Sequence, residues 1–170
     1  STKYPQRTVN EIIANGFPVT LSLAAIALLW SLLVGITAGI IGAIRQNTVW
    51  DHVAMTAALV GISVPSFVLG PLLVLTVSLR LHLLPPAGWG DWQHVVLPGL
   101  TLGTIYAASI ARLTRGGMLE VVRSDFIRTA RAKGLSESLI VWRHMLRGGL
   151  LPVVSYLGPA VASMLTGSVV

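Results

Sequence analysis

Side chains able to do covalent or acid–base chemistry are few in this chain and far apart. Its four histidines, His52, His82, His94 and His144, stand singly. None has a second imidazole at the spacing that puts two ligands on one helix face, so no metal site is expected. Cysteine is absent, which excludes disulfides and thiolate metal sites and leaves the redox compartment undecided. No Gly-rich loop is followed by Lys and Ser or Thr, so the sequence offers no nucleotide-phosphate loop of its own. No catalytic residue and no bound cofactor are expected. The long uncharged stretches hold no carboxylate, which argues against a proton- or ion-coupled pump. They do hold hydroxyls. Ser63, Thr101, Thr104 and Tyr106 could line a polar path, although hydroxyls in apolar helices also bond their own backbone or a neighbour.

The elements that position these residues are set by an unusual composition. Charged residues make up 11% of the 170 residues and apolar ones 54%, where a soluble domain carries about 25% charged. A water-soluble surface cannot be built from that, and the chain reads as an integral membrane protein of one domain, all-α, spanning residues 1–170. Four spans are expected, over residues 19–44, 53–79, 92–111 and 148–170, the third diluted by Gln93, His94, Gly99 and Gly103. The start at Ser1 and the apolar end at Val170 suggest a piece of a longer protein.

Of twelve basic residues, eight lie between Arg112 and Arg147, against three acidic ones. Such a concentration is a loop signal rather than a nucleic-acid signal, and it puts residues 112–147 on the cytoplasmic side. Counting backwards places residues 80–91 outside, 45–52 inside and 1–16 outside. Trp50, Trp89, Trp92 and Trp142 fall near the span ends, as amphipathic rings prefer; Trp30 falls mid-span without a reason. Gly35 and Gly39, Gly99 and Gly103, and Ala107 and Ala111 recur at the four-residue spacing that lets helix backbones approach. Chance in Gly- and Ala-rich helices is the competing explanation. Pro65, Pro98, Pro152 and Pro159 each remove an amide donor, so kinks facing protein rather than lipid are expected.

The cytoplasmic loop is patterned. Met118 to Lys133 contains no Pro or Gly, and Leu119, Val122, Phe126 and Ala130 recur at helical spacing, with Glu120, Ser124, Arg128 and Arg131 opposite them. One amphipathic surface helix is predicted, stopped by Gly134. Ser136 can cap a second helix whose Leu135, Leu139, Trp142 and Leu146 share a face before Pro152. On pattern alone, such a loop rests on anionic lipid or docks a protein partner.

The run Ala111-Arg112-Leu113-Thr114-Arg115-Gly116-Gly117-Met118-Leu119-Glu120-Val121, then Asp125-Phe126-Ile127-Arg128-Thr129-Ala130-Arg131-Ala132-Lys133-Gly134-Leu135, Arg143-His144 and Leu150-Leu151-Pro152-Val153, resembles bacterial ATP-binding-cassette importer permeases of the dipeptide, oligopeptide and nickel branch. Gln46-Asn47-Thr48, Trp50-Asp51, Val64-Pro65-Ser66-Phe67-Val68, Leu83-Leu84-Pro85 and Ser155-Tyr156-Leu157-Gly158-Pro159-Ala160 look most like the first of the two oligopeptide permease subunits. The resemblance covers essentially the whole chain. It implies a multi-pass helical bundle of the type I importer class in the bacterial inner membrane, with further helices before Ser1 and after Val170.

It also implies partners: a second permease subunit, cytoplasmic ATP-binding subunits, an extracytoplasmic peptide-binding protein and membrane lipid, with no nucleic acid. In that family the so-called EAA loop docks a short coupling helix on the ATPase. By position, Arg128-Thr129-Ala130 stands where the motif has Glu-Ala-Ala, flanked by Asp125 and Arg131, and Gly134 is the motif glycine. The Glu is missing, and seventeen residues separate Gly134 from Pro152, longer than the general motif. Oligopeptide cargo is the leading expectation, with dipeptide, nickel or glutathione as alternatives, and a non-transporting scaffold with a lipid-binding loop as the competing class.

Overall fold

The computed structural model describes residues 8–88 and 90–167. Trp89, the start at Ser1 and the last three residues of the fourth expected span lie outside the described residues. Among the described residues all regular structure is helical. The helices are α1 (Val9–Ile44), α2 (Val49–Ser63), α3 (Ser66–Leu73, continued by wider π-helical turns over Val74–Arg80) and α4 (Trp92–Val122). After them come α5 (Asp125–Ala132), α6 (Glu137–Leu139, continued by π-helical Ile140–Met145), α7 (Leu146–Gly149) and α8 (Leu151–Gly167). Two helices, Ile13–Ile44 and Trp92–Val122, are long and apolar enough to cross a membrane, and up to four segments are if each bent pair counts as one.

Local chemistry moves two boundaries. α1 starts well ahead of Val19, because Thr8 Oγ1 accepts from the Glu11 amide while the Glu11 carboxylate accepts from the Thr8 amide, a reciprocal cap. α4 runs past Ala111 to Val122, since no Gly turn or proline interrupts residues 112–122. The expected loop 112–147 therefore begins with three further turns of α4.

The two glycine pairs form a seam. A Cβ on Gly35, Gly39 or Gly103 would lie 2.6 Å from the carbonyl oxygen of Ala107, Ala111 or Ala27 respectively, and one on Gly99 would lie 2.6 Å from Ile26 Cγ2. α1 and α4 thus touch backbone to backbone, which only small residues permit. Chance is excluded as the explanation for these pairs. Numbers rise together along both helices, so the two run parallel. Trp30 gains its reason here: its indole N–H donates to Thr104 Oγ1 across the seam at 3.3 Å.

Between two parallel helices the chain must return. Along α2 and α3, Asp51 meets Arg115, Gly61 lies by Thr104, Gly70 by Thr101, and beyond them Gly88 lies by His94. From Arg115 to His94, α4 rises about 31 Å, matching the roughly 30 Å core of a bilayer. The return is not one straight span over 53–79. It bends by 106° between α2 and α3. Val64 is extended before Pro65, as the residue preceding a proline prefers, and the Pro65 carbonyl starts α3 by accepting from Val68 and Leu69. α7 and α8 also run against α4, from Gly149 on Gly117 to Met164, which is buried with Ala24 and Ala27 of α1 in a cluster that Leu102 and Tyr106 of α4 pack against.

A cysteine at exposed Ala87 is expected to react with an impermeant thiol reagent in intact cells, whereas one at exposed Ser138 is not. Gly88 is unsuited as the probe, since its φ is +120° and a side chain there would meet the His94 ring. The reverse labelling pattern would invert the orientation.

Candidate functional site

The loop forms a block built from three short helices. The single amphipathic helix predicted over Met118–Lys133 is broken in two. At the break the Ser124 hydroxyl donates to the Val121 carbonyl at 2.6 Å, and Ser124 itself is extended as the N-cap of α5. This resets the helical phase. Leu119 and Val122 stay on α4, partly buried, while Ile127 and Ala130 become the buried face of α5 and the predicted anchor Phe126 is 53% exposed. The buried cluster joins Ile127 and Ala130 to Met118, Ile140, Val141, Met145 and Ala43 of α1. Most of the loop's apolar surface is thus satisfied within the chain.

Gly134 closes α5 with a φ of +75°. Its amide donates to the Arg131 carbonyl at 2.9 Å and the Leu135 amide donates to the Ala130 carbonyl at 3.3 Å, the paired bonds of a Schellman turn. No atom beyond its chain neighbours lies within 4 Å of where its Cβ would be, so conformation rather than space selects glycine. Ser136 then caps α6 by accepting from the Leu139 amide. The predicted face of the second helix is also rotated: Ile140, Val141 and Met145 are buried, while Leu139 and Trp142 are exposed. The π-helical turns at Ile140–Met145 widen the period beyond 3.6 residues, so a pattern drawn at that period misses the face.

The residues matched to the motif fall into two sets. Asp125 and Arg128 are exposed and paired at 3.3 Å, and the Thr129 hydroxyl donates to the Asp125 carbonyl at 2.9 Å. Ala130 is buried beneath them. Arg131 does not stand free: it bridges the glycine turn to Glu137 at 2.7 Å, and this guanidinium holds the Glu137 carboxyl below its ordinary range. The exposed surface thus presents Asp125, Arg128 and Thr129 beside a turn stapled by an ion pair.

Two features that join this block to the membrane helices were missed by the sequence reading. Gly117 of α4 and Gly149 of α7 meet backbone to backbone: a Cβ on Gly117 would strike the Gly149 carbonyl, and one on Gly149 would lie 2.9 Å from the Met118 amide. The doublets Gly116-Gly117 and Gly148-Gly149 were the available signal. Second, a carboxylate is buried after all. Asp51, in the first turn of α2, is 1% exposed and takes Arg115 Nε and Nη2 at 2.6 and 2.7 Å, while the Asn47 amide donates to it at 2.9 Å. The expected span edge at Val53 had left it outside.

Of the four hydroxyl positions, Thr101 borders a cavity of about 540 Å³ toward the first turns of α4, with Ser66, Gly70 and His94. Ser63, Thr101 and Thr104 each donate to their own helix at 2.7–2.8 Å, and Tyr106 packs beside Met164. The structure does not gather the four into one site.

A family profile described as "Binding-protein-dependent transport system inner membrane component" matches residues 35–170. The chain is 49% identical over 172 aligned residues to the oligopeptide transport system permease protein OppB of Salmonella typhimurium, covering 100% of this chain and 56% of that protein. It is 45% identical over 170 residues to the dipeptide transport system permease protein DppB of Bacillus subtilis, covering 100% and 55%. It is 44% identical over 165 residues to the glutathione transport system permease protein GsiC of Escherichia coli O1:K1, covering 97% and 54%. The chain spans about half the length of the curated relatives it matches.

Proposed function

Because the chain belongs to the family of binding-protein-dependent transport system inner membrane components, we propose that it serves as a permease subunit of an ATP-driven oligopeptide importer, with residues 123–150 as its coupling block. On this reading it pairs with a second permease subunit, receives peptide from an extracytoplasmic binding protein and docks on cytoplasmic subunits that bind ATP and Mg. Oligopeptide cargo is favoured over dipeptide or glutathione by the higher identity to OppB. The path is assigned to the face where Thr101 borders the cavity of about 540 Å³.

The observation that carries this reading is the construction of the block. Asp125, Arg128 and Thr129 face outward while Ile127 and Ala130 fix α5 to Met118 and Ala43. Gly149 then locks the following helix to α4. A push on the exposed face of α5 reaches α4 and α8 without passing through a flexible connection, a rigid-body transmission. The missing motif Glu leaves this geometry intact.

The test is ATP-dependent uptake of labelled peptides by the complete transporter in proteoliposomes, with and without binding protein. Gly134→Val places a β-branched residue in the left-handed region at a cost of about 1–2 kcal/mol or more. It is expected to abolish substrate-stimulated hydrolysis and uptake while leaving membrane insertion unchanged. Normal hydrolysis and uptake in that variant would remove the coupling role, and uptake of free glutathione or dipeptide in preference to longer peptides would reassign the cargo.

A further inference from the structure

Arg143, His144 and Arg147 border a cleft of about 330 Å³ that is completed by Phe126 of α5 and by Gly148 and Leu151 at the foot of α8. No carboxylate lines it. The three ion pairs among the described residues are Asp51–Arg115, Asp125–Arg128 and Glu137–Arg131, so the cleft's two guanidinium groups have no acidic partner among those residues. Two uncompensated cations on one small concavity hold a site open for an anion with several acceptor oxygens, since each guanidinium offers a planar fork of donors.

Depth and flanks decide which anion. Gly149 sits on Gly117 and Met118, and Met118 is buried with Ala43, next to the last residue of the uncharged stretch of α1. The cleft is therefore level with the boundary where hydrocarbon gives way to headgroups. Leu151 at its edge and Val154, one turn further along α8, are 66% and 62% exposed, and Trp142, next in sequence to Arg143, is 64% exposed. A free phosphate would have no use for that apolar flank. An acyl chain would.

We propose that this cleft binds the phosphate of an anionic phospholipid of the cytoplasmic leaflet, with Arg143 and Arg147 on the phosphate oxygens, His144 as a further ring donor and the acyl chains along Leu151 and Val154. The site shares Phe126 with α5 but not Asp125, Arg128 or Thr129, and it does not depend on the cargo. Loss of lipid binding and loss of coupling are separable results.

The experiment uses the complete permease with its partner subunits, in nanodiscs of phosphatidylcholine doped with phosphatidylglycerol, reading the retained lipid by native mass spectrometry and the affinity by titration of a labelled phosphatidylglycerol. Near a membrane surface each Arg contributes about five-fold in affinity for anionic lipid. Arg143→Gln or Arg147→Gln should weaken binding about five-fold each, and the double variant about twenty-five-fold. Arg143→Lys with Arg147→Lys, which keeps the charge but gives up the fork, should lose less than the double Gln variant, and Lys133→Gln, away from the cleft, should lose nothing. These side chains have no ion-pair partner among the described residues, and the unmodified protein gives a second reading that needs no variant: selectivity for phosphatidylglycerol over phosphatidylcholine that falls with salt. Equal retention of both lipids, or wild-type affinity in the double variant, would overturn the proposal. So would full displacement of the lipid by millimolar inorganic phosphate, which would make the cleft a phosphate site. Unchanged lipid binding together with loss of the ATP-binding subunits on purification would make it a protein-docking surface instead.

Discussion

Arg115→Met is expected to lower the stability of the complete permease by about 3 kcal/mol, and Asp51→Asn by about half as much. Removing one partner of a buried ion pair costs roughly 3–5 kcal/mol because the other charge is stranded. The two partners of this pair are not equivalent. The Asp51 side chain is 2% exposed and Arg115 is 26% exposed. Without Arg115 the carboxylate keeps only the Asn47 amide and the N-terminal end of α2. Without the carboxylate, the guanidinium can turn toward water and an Asn amide can still accept from it. Thermal unfolding in detergent should therefore rank wild type, Asp51→Asn, then Arg115→Met. The double variant should recover part of the Arg115→Met loss, since no buried charge remains. Equal melting of all four proteins would show that the pair holds nothing together.

The second large effect is expected at Gly117. A valine there drives its Cβ into the Gly149 carbonyl, a backbone atom that cannot rotate away. The outcome is separation of α7 from α4, at a cost above the usual 1–3 kcal/mol of overpacking, and loss of the assembled transporter on purification. Gly116 is exposed and has no atom beyond its chain neighbours within 4 Å of its Cβ position, so Gly116→Val, one residue away, should be almost silent. If both variants assembled equally well, the glycine contact would not be what holds α7 and the short helices before it to α4.

The parts legible in the sequence are those governed by spacing and by local chemistry. Four-residue glycine spacing marked stretches of α1 and α4 where backbones could approach without saying that they meet each other, and a glycine behind a basic turn announced the helix stop at Gly134. Ser136 was readable as a cap because its chemistry is local. The misreadings occur where one periodic pattern was continued across a change of phase. Leu119, Val122, Phe126 and Ala130 lie on one line only if the helix is unbroken, and the reset at Ser124 exchanges Phe126 for Ile127. Leu139 and Trp142 were placed inward by a 3.6-residue period that the π-helical turns do not obey. The Asp51–Arg115 pair joins residues 64 apart, and no local pattern reports such a distance. Pro65 signalled a kink, but not one of 106°. The size of that bend depends on what the two halves pack against.

The glycine seam has a mechanical corollary. Helices in contact through carbonyl and Cα atoms have no side-chain cushion between them, so α1 and α4 change inclination together or separate. α4 is a single helix of 31 residues with Pro98 in its second turn, about 46 Å from end to end. If such a helix pivots about one end by about 5°, the other end sweeps about 4 Å, close to the spacing of two carbon atoms in van der Waals contact. A displacement too small to disturb the buried cluster around Met118 is therefore enough, at the level of His94, to open or close a passage by the width of one atom.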